Sequence, residues 1–128
     1  RIVTAPMRVL VIEDEPSLRE HMLQVLTFEG FEAVGVADGR SGIEAARRTP
    51  PDLVICDLML PGINGLGVCR ALRDDPLTCD TATIVVSAHS SMSDREQTKE
   101  LGVVGYVSKP FRVGEFMEAV QRSLKPLG

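Results

Sequence analysis

The segment Leu53-Val54-Ile55-Cys56-Asp57-Leu58-Met59-Leu60-Pro61-Gly62 runs four apolar residues into an aspartate and then into a Pro-Gly turn. A short Val/Ile-rich run without polar alternation reads as a strand buried on both faces. Asp57 leaves that strand just where the strand leaves the core. Two other segments have the same form. Val9-Leu10-Val11-Ile12 ends in Glu13-Asp14, and Val103-Val104-Gly105-Tyr106-Val107-Ser108 ends in Lys109-Pro110. As parallel neighbours in one sheet, these runs would bring three acids and one lysine to a single edge. That combination points to a metal-assisted phosphoryl site with a carboxylate as acceptor.

Working outward, strand-like runs at Arg8–Ile12, Glu32–Val36, Leu53–Asp57, Thr83–Ser87 and Gly105–Ser108 alternate with helix-like stretches. Leu18, Met22, Val25 and Leu26 share one helical face, with Gly30 as a stop. Ile43, Ala46 and Arg47-Arg48 mark a second helix ahead of Pro50-Pro51. Leu66 to Arg73 forms a third, running to an Asp-Asp-Pro turn at Asp74. Ser93-Asp94-Arg95-Glu96 reads as a capping box for a fourth, ending near Gly102. Val113, Phe116, Met117, Val120 and Leu124 form the stripe of a fifth. Five alternations predict an α/β domain: a flavodoxin-like, doubly wound, five-stranded parallel sheet of order 2-1-3-4-5 with five helices and right-handed crossovers. In such sheets ligands sit beyond the carboxyl ends of the strands near the switch point, between strands 1 and 3.

With 128 residues, 44% hydrophobic and 25% charged, the chain has the composition of one folded domain rather than a disordered segment. We expect a tail at residues 1–6 (Met7 being a candidate native start), one folded domain over 7–125 and a short tail at 126–128. A net charge of −4 makes direct binding to nucleic acid or to anionic membrane unexpected. No apolar stretch approaches the ~20 residues needed to span a bilayer, and no signal segment is evident. Cys56, Cys69 and Cys79 lack metal-ligand spacing and are odd in number, so neither zinc nor a disulfide framework is expected. The expected location is the cytoplasm.

The acids carry the chemistry. Clustered carboxylates repel one another, and a like-charge pair at ~4 Å costs roughly 1 kcal/mol in water and about 4 at an effective dielectric of 20. Mg²⁺, which takes oxygen ligands, would remove that cost. Acids at Glu13, Asp14 and Glu15 would also suit a helix N-terminus; Asp57 and Lys109 are what favour the metal. A carboxylate can attack phosphorus to form an acyl phosphate, Lys109 offers a point charge to a phosphate oxygen, and Ser87 ends its strand at the same edge. Gly62-Ile63-Asn64-Gly65-Leu66-Gly67 has the wrong glycine order for a dinucleotide fingerprint and no following Gly-Lys-Ser/Thr, so it reads as a turn after Asp57.

Val-Ile-Glu-Asp-Glu-Pro at 11–16, Cys-Asp-Leu-Met-Leu-Pro-Gly-Ile-Asn-Gly at 56–65, Val-Ser-Ala at 86–88 and Gly-Tyr-Val-Ser-Lys-Pro-Phe at 105–111, in this order and spacing, give a chain that resembles the receiver domain of two-component response regulators from about Met7 to Leu124. A chemotaxis receiver is itself a standard example of the 2-1-3-4-5 order, so the fold expectation and the resemblance share a source. The resemblance implies Asp57 as phosphoacceptor and Glu13 and Asp14 as the acidic pair. With Asp57 and the Met59 backbone carbonyl, the pair would hold Mg²⁺ or Mn²⁺, Asp14 as the more direct ligand. It implies Ser87 and Lys109 on the phosphoryl group, Ser87 and Tyr106 as the switch, and a cis Lys109–Pro110 bond. Ser87 stands where threonine is frequent, and Arg112 where a helix-capping acid is common, so the fifth helix is expected to start loosely. Met59 and His89 would flank the path of hydrolytic water.

The implied partner is a phosphohistidine on a sensor histidine kinase or phosphotransfer protein. The helix 4–strand 5–helix 5 face is a candidate for homodimerisation. Such a domain is a switch that assists its own phosphorylation and dephosphorylation, not an enzyme with an external substrate. Two alternatives stand beside it. An aspartate-nucleophile phosphatase would carry a second aspartate two residues on, where this chain has Met59. A phosphate-independent module of receiver shape would usually lack the acceptor or an acid, and this chain has the set.

Overall fold

A computed structural model describes residues 5–88 and 91–124. Most of the expected terminal tails, and His89, lie outside those residues. Five strands and five helices alternate: β1 (Arg8–Ile12), α1 (Pro16–Phe28), β2 (Glu32–Val36), α2 (Gly39–Arg48), β3 (Leu53–Cys56), α3 (Gly65–Asp74), β4 (Ala82–Ser87), α4 (Met92–Glu100), β5 (Gly105–Ser108) and α5 (Val113–Ser123). All strand pairs are parallel and the sheet order is β2-β1-β3-β4-β5, as expected from the sequence.

The side-chain period of two sorts the strands between two cores. Val9, Val11, Leu53, Ile55, Ile84, Val86 and Val107 face α1 and α5, meeting Met22, Leu26, Phe116, Met117 and Val120. Leu10, Ile12, Val54 and Cys56 face the other way, against Ala46 of α2 and Val68 and Leu72 of α3. A third cluster, Leu58, Cys69 and Val85, lies at the top of the sheet and is bordered by Leu101, Val103 and Tyr106. The largely apolar character of β1, β3 and β4 follows from helices on both sides.

Several boundaries differ from the expectation, and α3 runs Gly65–Asp74, one residue longer at each end than Leu66–Arg73. β3 stops at Cys56, one residue early, although Asp57 N still donates to Ile12 O at 3.1 Å and keeps Asp57 against the sheet edge. β4 opens at Ala82 rather than Thr83. The fourth helix is capped by Ser91, whose side chain accepts from Asp94 N, not by Ser93. Ser93 instead accepts from Gln97 Nε2 along the helix, so the competing cap two residues upstream lengthens α4. Arg112 at the start of α5 makes no side-chain capping bond, as its identity implied. Lys109–Pro110 is cis.

The glycine-rich segment after β3 is a turn, as read. Gly62 has φ +72°, which a glycine adopts without steric cost. Asn64 accepts from Gly67 N and caps α3. Gly65 presses so closely on the Asp57–Leu58 backbone that a Cβ there would lie 2.6 Å from Leu58 Cα. This close approach fixes where α3 starts relative to the residue carrying the candidate acceptor.

Candidate functional site at the carboxyl edge of the sheet

The strand order puts the ends of β1 and β3 side by side, with Ile12 in register with Cys56. The next residues, Glu13 and Asp57, therefore emerge together. Glu13 is 1% exposed and Asp57 5%, while Asp14 is exposed. One oxygen from each of Glu13, Asp14 and Asp57 lies within 4.8 Å of the others.

Lys109 reaches this group from the far end of the chain. Its Nζ donates to Asp57 Oδ2 at 2.5 Å and to Glu13 Oε1 at 2.7 Å. Backbone groups complete the carboxylates: Met59 N donates to Asp57 Oδ1 at 2.9 Å, and Glu15 N to Glu13 Oε2 at 3.1 Å. Arg19 Nη1 holds the Glu13 carbonyl at 2.9 Å, which steadies the β1–α1 turn. Glu15 caps α1 through Ser17 N and Leu18 N, and those donors hold its carboxyl below the usual range. The helix-capping role considered for the acids thus falls to Glu15, leaving Glu13 and Asp14 to the site.

Burial pushes the Glu13 carboxyl above its usual range, against the pull of Lys109 and the Glu15 N–H. For Lys109 burial alone would favour loss of the proton, but the bonds to Asp57 and Glu13 outweigh it and the net direction is up. The ammonium is therefore retained at neutral pH. Three carboxylates and one ammonium leave about two negative charges when all are ionised. An all-oxygen donor set with that surplus fits a hard divalent cation.

Ser87 ends β4 fully buried beside this edge, and its carbonyl accepts from Lys109 N at 3.0 Å. The sequence-predicted residues Glu13, Asp14, Asp57, Ser87 and Lys109 therefore share one corner. Tyr106 stands one strand further out, half-buried, with Val85 as its register partner. Met59 is 57% exposed at the rim.

A family model for the response regulator receiver domain matches residues 9–121. This chain belongs to that family. The DNA-binding response regulator MtrA of Mycolicibacterium smegmatis is 39% identical over 122 residues, 95% of this chain and 52% of that protein. The MtrA protein of Mycobacterium leprae is 38% identical over 92% of the chain and 51% of its own length. The receiver thus spans about half the length of the curated relatives it matches. Among solved structures, the chemotaxis protein CheY4 of Vibrio cholerae superposes with a TM-score of 0.89 at 27% identity, covering 94% of this chain and all of that one. The receiver domain of sensor histidine kinase PA1611 from Pseudomonas aeruginosa, solved with magnesium coordinated in its active-site cleft, gives 0.85 at 28% identity and covers 94% and 98%.

Three features of the receiver were not read from the sequence. Arg95 of α4 stacks over the Tyr106 ring, its guanidinium carbon 4.4 Å from the ring centroid. Burial raises the Tyr106 hydroxyl above its usual value. Lys109 bridges Glu13 and Asp57, where its expected partner was a phosphoryl oxygen. The Arg95 contact has a weak sequence signal, a cation on the exposed face of a helix preceding an aromatic strand residue. The Lys109 bridge has none, since it depends on side-chain reach across three strands. The cysteines take no part: Cys56 and Cys69 are buried and burial raises both thiols, Cys69 to about 11.

Proposed function

We propose that this receiver accepts a phosphoryl group on Asp57 from a phosphohistidine of a sensor histidine kinase or phosphotransfer protein. The observation that carries the reading is the placement of Asp57 Oδ2 2.5 Å from Lys109 Nζ within a carboxylate cluster of three. A carboxylate oxygen of Asp57 forms the new P–O bond as the donor's P–N bond breaks, and the leaving imidazole takes up a proton. Glu13, Asp14, Asp57 and the Met59 backbone carbonyl would hold Mg²⁺ or Mn²⁺, whose charge would offset that gathering on the phosphoryl oxygens. Lys109 gives its ammonium to one phosphoryl oxygen, and the Ser87 hydroxyl donates to another.

As Ser87 is drawn toward the phosphoryl group, Tyr106 turns inward. The α4–β5–α5 face is remodelled, and a partner that prefers the new face, including a second copy of the chain, shifts the population further. The MtrA relatives are named as DNA-binding response regulators, and a DNA-binding output governed through this face is our reading of the pathway. The receiver itself, acidic overall, has no direct role on nucleic acid, and no described helix is long and apolar enough to cross a membrane. We place its work in the cytoplasm, where a kinase's phosphohistidine is available. Met59, at the rim, and His89 set the lifetime of the aspartyl phosphate; substituting them and timing phosphate loss tests this, and an unchanged rate refutes it.

Met59 disfavours the phosphatase alternative, because it occupies the place of that mechanism's general acid. The test is incubation with Mg²⁺ and a small phosphodonor. A single phosphoryl group on the peptide carrying Asp57, absent in Asp57→Asn, is expected. Turnover of phosphoesters would support the phosphatase instead, and no modification at all would support a phosphate-independent module.

A further inference from the structure

Helix α4 buries less of its own surface than its neighbours do. Among its residues only Thr98 is buried, and Thr98 Oγ1 turns back to the Arg95 carbonyl at 2.9 Å instead of reaching the sheet. α1 buries Met22 and Leu26, α3 Val68, Cys69 and Leu72, and α5 Phe116, Met117 and Val120, so each of those is anchored by apolar area. α4 has no buried apolar side chain of its own. One tie to β5 runs through Arg95. The guanidinium covers the Tyr106 ring, and Nη2 donates to Ser108 Oγ at 3.3 Å. Tyr106 and Ser108 are alternate residues of β5, so their side chains share one face of the sheet, and one arginine spans both.

On its inner side Tyr106 borders the apolar cluster of Leu58, Cys69 and Val85, with Ser87 two residues further along β4 from Val85. Arg95 is exposed. A ring that moves toward the Leu58–Cys69–Val85 cluster therefore leaves the guanidinium behind.

We propose that Arg95 is a latch that holds Tyr106 outward and α4 against β5 in the unmodified receiver, and that both are released together on activation. The inference rests on the reading of Tyr106 as the switch. Arg95 touches neither Asp57 nor the phosphoryl position, so it is a positioning residue that sets the threshold of the switch. A solvent-accessible cation over a half-buried ring corresponds to a shift of about two- to five-fold in a two-state equilibrium. That modest size suits a latch, which one covalent modification can overcome.

Tyr106 is the one tyrosine of the chain, and there is no tryptophan, so intrinsic tyrosine fluorescence reports this ring alone. The experiment compares acrylamide quenching and the beryllofluoride midpoint, in the presence of Mg²⁺, for the parent, Arg95→Ala and Arg95→Lys. Quenching in the parent is expected to fall on beryllofluoride addition. Arg95→Ala is expected to be less quenched before any addition and to respond at a two- to five-fold lower concentration. Arg95→Lys, which keeps a cation over the ring, is expected to lie near the parent. An unchanged midpoint and unchanged quenching in Arg95→Ala overturn the latch while leaving the switch intact. Increased quenching also overturns it, because α4 would then be peeling away from a ring that stays outward. A lysine variant no closer to the parent than alanine overturns the cationic latch. A parent whose Tyr106 does not respond to beryllofluoride sinks the switch reading itself, and the latch with it.

Discussion

Adding one methyl group at Gly65 should separate the position of Asp57 from the stability of the fold. A Cβ at Gly65 would sit 2.6 Å from Leu58 Cα and 3.0 Å from the Asp57 carbonyl carbon, with that residue's carbonyl oxygen nearer still. Comfortable carbon contacts are about 3.5–4.0 Å, so the turn joining β3 to α3 has to open by about 1 Å. The obstructing atoms are backbone and cannot rotate aside. Overpacking of this kind costs about 1–3 kcal/mol. Alanine returns up to about 1 kcal/mol as the better helix former, which leaves a net loss of at most about 3 kcal/mol in Gly65→Ala. Displacing the acceptor carboxylate by a comparable distance is expected to slow phosphoryl uptake by about 10- to 100-fold. Gly114 in α5 is the control. A Cβ there meets nothing within 4 Å, so Gly114→Ala should gain about 0.5–1 kcal/mol and leave uptake unchanged. Urea unfolding gives the stabilities, and intact mass of quenched aliquots gives the rate of uptake from a small phosphodonor. A Gly65→Ala protein as stable as the parent and equally fast would refute the claim that this close approach positions Asp57.

Three further outcomes are expected. Lys109→Met removes the cation shared by Glu13 and Asp57. Leaving a buried charge unpaired costs about 3–5 kcal/mol, discounted here to about 2–3 because the Lys109 side chain is 18% exposed. Adding Glu13→Gln should recover part of that loss in urea unfolding, and a double-mutant cycle with zero coupling would contradict the shared bridge. The backbone N–H of Ser41, followed by its hydroxyl, holds the Asp38 carboxyl below its ordinary value of 3.8. Its contribution to stability is therefore present above that value and lost as pH falls through the lowered one. Asp38→Asn should flatten the acid limb of the stability profile below about pH 4, and an unaltered limb would count against the cap. Arg112→Asp supplies the capping acid that α5 lacks and should raise stability by about 0.5–1 kcal/mol in thermal or urea unfolding, whereas no gain would show that Val113–Ser123 starts without need of a cap.

Much of this was legible from residues because burial on two faces leaves an unmistakable trace. Val9–Ile12 and Leu53–Cys56 could hardly be anything but inner strands, and once they are neighbours Glu13 and Asp57 must meet. The Lys109 bridge was less legible, since a lysine before proline says nothing about how far its side chain extends. α4 was the hardest element to place. With Thr98 as its one buried residue it has no apolar stripe, and three serines at 90, 91 and 93 compete as caps. Local hydrogen-bonding chemistry can nominate each of them, and of these Ser91 is the one that caps the helix.

The separation of the bridging residues along the chain has a bearing on biosynthesis. Lys109 lies 52 residues beyond Asp57 and 96 beyond Glu13. During synthesis from the amino terminus, β1 and β3 can pair long before the lysine leaves the ribosome. Through that interval two acids destined for burial have no ammonium between them. They must stay hydrated, take up protons or borrow a cation from solution. The docking of β5 is thus the step that brings the ammonium between the two buried acids, and the corner is not assembled until almost the whole domain has emerged.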